Sequence, residues 1–198
     1  MKSSFVGIVR AALLLALSFR VASAQQPAPA AAAPGTVVTT VIHNAGTQYG
    51  AWLMTAFDSI PASKYSFKPT PVQMPIGEIA SHLESANYLL CTPFSGIPHP
   101  MTARDSTVDS VKALWPKDTL VVRLKASFAF CDAAFAKVTD ANLADTLTLT
   151  LPSGTRKFVR AHLVLVFVTD LVDHYSQLAN YMRLNGMIPP SSYPRPKS

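Results

Sequence analysis

The stretch Arg160–Asn185, RAHLVLVFVTDLVDHYSQLANYMRLN, decides the fold. At about 100° per residue, Val164, Val168, Leu171, Tyr175, Leu178 and Met182 fill one arc of a helix, the face that must be buried. His162, Thr169, Asp173, Ser176, Asn180 and Arg183 fill the opposite arc, a solvated face. Asp170, His174 and Gln177 fall between the two, in the sector that also holds Leu163, Phe167 and Tyr181. Polar groups therefore point toward an interior from an otherwise apolar sector. Gly186 stands where a C-terminal glycine cap is expected.

Upstream, Thr146–Leu151 reads TLTLTL with period two, and Pro152-Ser153-Gly154-Thr155 is a turn, which predicts a short hairpin. Before it, Leu120, Leu124, Ser127, Phe128, Cys131, Phe135 and Val138 mark one side of a helix over about Thr119–Val138. A long polar connection precedes that helix. A further helix runs from Pro75, whose missing N–H suits a first turn, to about Cys91, with Ile76, Ile79, Leu83, Ala86 and Leu90 as its buried stripe. Pro93, Gly96, Pro98 and Pro100 are expected to end it. The first helix covers Val37–Ile60 and stops at Pro61. Four long helices and one hairpin predict an all-α fold, a four-helix bundle with a short β-hairpin before the last helix.

The chain ends read differently. Residues 1–24 carry Lys2 and Arg10, the apolar run Ala11–Leu17 and the small-x-small triplet Ala22-Ser23-Ala24, the pattern of a cleaved export signal. The run is broken by Arg20 and falls short of the roughly 20 apolar residues of a bilayer span, so cleavage near Ala24 and a periplasmic or secreted protein are expected. Residues 25–35, QQPAPAAAAPG, read as an extended tether, residues 36–190 as the single bundle domain, and residues 191–198 as a disordered tail. Removing residues 1–24 lowers Lys+Arg from 17 to 14 against 11 Asp+Glu, so the formal +6 becomes +3. No basic run with interleaved aromatics remains for a nucleic-acid track, and no stretch predicts a membrane span.

Asp170 and His174 are four apart, a spacing that lets a carboxylate and an imidazole hold one divalent cation. His82 lies beside the Ile79/Leu83/Ala86 stripe and would complete a protein triad. The competing reading is a hydrogen-bonded polar network at the edge of the core. His43 on the first helix and His99 in a Pro-rich loop are not expected to be ligands, and His162 lies about 18 Å along the axis from His174. There is no Gly-rich phosphate loop, and Leu151-Pro152-Ser153-Gly154 lacks a nucleophile elbow.

With these residues in hand, Val37–Pro190 resembles the DinB-like superfamily, the damage-inducible and YfiT-like four-helix bundles. The resemblance is carried by Ile60-Pro61, Tyr65-Ser66-Phe67-Lys68-Pro69-Thr70-Pro71, Ile76-Gly77-Glu78-Ile79-Ala80-Ser81-His82-Leu83 and Asp170–Arg183. The family's first metal histidine matches His82. Of its His-x-x-x-His-Arg-Gly-Gln pattern, the second histidine matches His174 and the glutamine Gln177. Asp170 replaces the first histidine, Tyr175-Ser176 replace Arg-Gly, and Met74-Pro75 stand where Trp-Ser often begins the second helix.

The resemblance implies a metal-dependent enzyme, a hydrolase or a thiol-dependent transferase or isomerase. His82, Asp170 and His174 would be the ligands, and Gln177 would support them or contact the cofactor site. Zinc is the expected ion, with nickel and iron behind it, and a small molecule the expected substrate. A homodimer is compatible with the family. The alternative is a non-catalytic bundle that binds a metal or small ligand, which the replaced residues favour. The resemblance implies a topology that places Cys91 and Cys131 on helices diagonal across the bundle, which predicts no disulfide between them.

Overall fold

The structure is a computed structural model and describes residues 36–98, 100, 107–151 and 153–194. The expected export signal and tether, and His99, lie outside the described residues. In order, the elements are α1 (Val37–Ser59), α2 (Ile76–Ser95), α3 (Asp109–Lys112), α4 (Lys117–Phe135), β1 (Thr146–Leu151), β2 (Gly154–Val159) and α5 (Arg160–Leu184). The four long helices and the hairpin are those the periodicity predicts.

One helix end and one connection differ from expectation. Pro93 lies inside α2 rather than ending it, and the helix stops at Gly96, left-handed at φ 65°, whose N–H donates to the Thr92 carbonyl. A proline at this point costs one helical bond, to the carbonyl of residue 89 on the exposed side, while continuing the helix buries Phe94 in the core. The polar connection before α4 contains α3, a single turn too short to show a period.

Around the bundle α2 packs chiefly on α4 and α1 on α5, with α2 also against α5 and α1 against α4. The diagonals are therefore α1 with α2 and α4 with α5. This overturns the placement expected for the cysteines: Cys91 and Cys131 face each other across the α2–α4 seam, Cα atoms 5.3 Å apart, and form a disulfide. Four residues toward the start of each helix's turn, Asn87 Nδ2 donates to Ser127 Oγ at 2.9 Å in the same seam. The α4 stripe correctly includes Cys131 as buried, whereas the α2 stripe omits Cys91, and a stripe does not name the neighbour it meets.

The start of α1 is capped from a distance. Asp140, in the loop after α4, accepts the N–H groups of Val38 at 3.1 Å and Thr39 at 2.8 Å. The hairpin pairs Thr146 with Val159 and Leu151 with Gly154, turning Leu149 into the core. After α5 the chain stays anchored beyond residue 190: Pro190–Ser192 form a 3₁₀ turn and the Ser191 N–H donates to Tyr175 Oη at 2.7 Å. That part of the expected tail is structured, and residues 195–198 lie outside the described residues. Among the described residues no helix is long and apolar enough to cross a membrane.

Candidate metal centre

α2 and α5 present His82, Asp170 and His174 to one another, with one ligand atom from each lying within 4.8 Å of the others. The His82 and His174 rings have centroids 4.8 Å apart. Asp170 Oδ1 lies 3.5 Å from His174 Nε2 and 3.9 Å from His82 Nε2. Both separations exceed ordinary hydrogen-bond lengths. They are close to the roughly 3.4 Å between two donors that share one ion at about 2.1 Å in a tetrahedral arrangement. Two imidazoles and one carboxylate form a donor set that suits zinc. The sequence-derived triad is thus brought together in a cluster that could hold a metal ion.

Each imidazole is backed at its other nitrogen. His174, 5 % exposed, has Nδ1 3.2 Å from Gln177 Oε1. The Tyr181 hydroxyl donates to the Met74 carbonyl at 3.2 Å and accepts from Gln177 Nε2 at 2.9 Å. The Gln177 amide is thereby oriented with its oxygen toward His174, so Nδ1 donates to it. Gln177 thus bridges His174 and Tyr181.

His82 Nδ1 lies 3.7 Å from Asp109 Oδ2. Asp109 comes from α3, and neither it nor its neighbours carried any periodic signal in the sequence. The carboxylates of Asp109 and Asp170 push the His82 pKa up to about 9, against the opposing effect of burial. Burial pushes Asp170 upward, but His174 and His82 outweigh it and hold the carboxyl well below its usual range.

The other described histidines are elsewhere. His43 stacks on Phe135, its Nε2 3.8 Å from Asp132 Oδ1, and His162 stacks on Phe158 of the hairpin.

A family model for the DinB superfamily matches residues 50–178. Among solved structures, a DinB-like protein from Bacillus cereus superposes with a TM-score of 0.58 at 18 % identity, covering 77 % of this chain and 95 % of that one. A conserved protein from Enterococcus faecalis follows at 0.55 and 15 % identity, covering 74 % and 96 %. At such identities these likenesses establish the fold. No curated protein matches. The family model spans well over half of the chain, and the chain belongs to the DinB superfamily.

Proposed function

We propose that this protein is an exported, metal-dependent enzyme of the hydrolytic type, acting on a small molecule with a divalent cation held by His82, Asp170 and His174. One observation carries the reading: three ligand-type side chains from two helices converge, with the Nε2 atoms of both imidazoles 3.9 and 3.5 Å from the same Asp170 oxygen. An ion held there would supply Lewis acidity and lower the pKa of a water in the same site. Zinc is the first choice, with nickel or iron next. The N-terminal export pattern and the buried Cys91–Cys131 disulfide both favour an oxidising compartment. Export disfavours the thiol-dependent branch of the family's chemistry, because small thiols are chiefly cytoplasmic.

A second reading, a metal-binding bundle without catalysis, is favoured by the engagement of Asp109. This second carboxylate against the cluster is held by Ser85 rather than free to shuttle protons. Turnover on ester, amide and thiol-transfer substrates separates the two. Hydrolysis lost on His174→Ala supports the enzyme; metal uptake without any turnover supports the binding protein.

A further inference from the structure

α3 is one turn long, and two contacts pin it to α2. Ser81 Oγ donates to the Asp109 carbonyl at 3.0 Å. A Cβ on Gly77 would lie 2.6 Å from the Ala113 oxygen, so only glycine admits the backbone at the end of α3 this close to the start of α2. The result is that Asp109 stands against the ring nitrogen of His82 opposite the one that faces Asp170. The carboxylate is itself held: Ser85 Oγ donates to Asp109 Oδ1 at 2.8 Å. The Lys112 ammonium, 1 % exposed, lies 3.3 Å from Ser85 Oγ and 3.9 Å from Asp109 Oδ1. A buried ammonium at this point balances the carboxylate charge.

We propose that Asp109 is the positioning residue for the His82 ligand. Its carboxylate, 3.7 Å from Nδ1, attracts the N–H on that side of the ring by charge and so keeps Nε2 turned toward Asp170 and His174, while Ser85 and Lys112 fix Asp109 in turn. The inference rests on the metal reading above and assigns Asp109 no direct bond to the ion. The His82 side chain is 38 % exposed, so packing constrains it less than the buried His174, and a carboxylate beside Nδ1 favours one ring orientation. The pair His174–Gln177 does the same for the more buried ligand, so each imidazole has its own acceptor, delivered by a different element.

The test uses the chain lacking residues 1–24, titrated with zinc against a chromophoric chelator. Asp109→Ala is expected to weaken zinc binding roughly 10- to 100-fold. Asp109→Asn, which keeps an acceptor oxygen, should weaken it about threefold or more. Asp132→Asn, beside His43 and remote from the cluster, should match the wild type. A second readout is the nitrogen NMR of the zinc-loaded His82 ring: a protonated Nδ1 and a ligated Nε2 in the wild type, and a mixture of the two arrangements in Asp109→Ala. If Asp109→Ala binds zinc within twofold of the wild type through the same ring nitrogen, the assignment is overturned and the metal reading stands. If Asp109→Ala does not fold, Asp109→Asn decides, and wild-type affinity in that variant overturns the assignment. A wild-type protein that takes up no zinc, nickel or iron overturns both readings.

Discussion

His174 and Gln177, one turn apart on α5, meet at 3.2 Å between the imidazole Nδ1 and the amide oxygen, and the amide is turned that way by Tyr181. Removing the acceptor leaves the ring its position but not its tautomer. Gln177→Leu is therefore expected to lower metal affinity roughly 10- to 100-fold. The change in stability should be about 1 kcal/mol, the net worth of a hydrogen bond. Chelator competition and urea denaturation, run side by side, check the two expectations. A loss of stability with unchanged affinity would remove Gln177 from the site.

The pH dependence of the metal-free protein follows from His82. Its folded pKa of about 9 lies above the ordinary 6.5, so the stability it contributes is fully present below about 6.5 and is lost as pH rises through about 9. Asp170, held low, contributes stability that is present above the usual carboxylate pKa and is lost only in strong acid. In chelator, the melting temperature of the wild type should fall between pH 6.5 and 9 relative to His82→Gln. Parallel profiles for the two proteins would contradict the assignment.

The disulfide joins α2 to α4 across a sequence separation of 40 residues. Closing a loop of that size restricts the unfolded chain, and its removal as Cys91→Ala/Cys131→Ala is expected to cost about 2 to 5 kcal/mol. Denaturation of oxidised protein against the double variant measures this. Alkylation without reduction should block no thiol in the native protein, and two blocked thiols would contradict the pairing.

Gly77→Ala is expected to displace α3, because the new methyl would meet the Ala113 oxygen at 2.6 Å and backbone cannot yield as a side chain can. The cost should be about 1 to 3 kcal/mol, and metal affinity should fall with it as Asp109 moves away from His82. Gly96→Ala, at a left-handed position in open space, should reduce stability without touching affinity.

The triad was legible in the sequence because Asp170 and His174 sit on a 25-residue helix whose apolar arc is unambiguous, and His82 sits beside an equally regular stripe. Asp109 was not, because a four-residue helix offers no period and its contact with His82 is set by chain folding over Gly77. The Cys91–Cys131 pairing is not legible in the sequence for a related reason. Periodicity locates the buried face of α2 and of α4, whereas the order of helices around the bundle depends on contacts between distant segments. The extension of α2 past Pro93 shows burial of Phe94 overriding a local breaker.

The central claim is that His82, Asp170 and His174 together hold one divalent cation. Elemental analysis of the chain lacking residues 1–24, purified without chelators, tests it most directly when wild type and His174→Ala are measured together. The account predicts about one equivalent of zinc, nickel or iron per chain in the wild type and less than a tenth of that in His174→Ala, since the loss of one of three ligands forfeits binding. Wild-type protein free of all three metals and unable to take them up, or equal metal in both proteins, would contradict it.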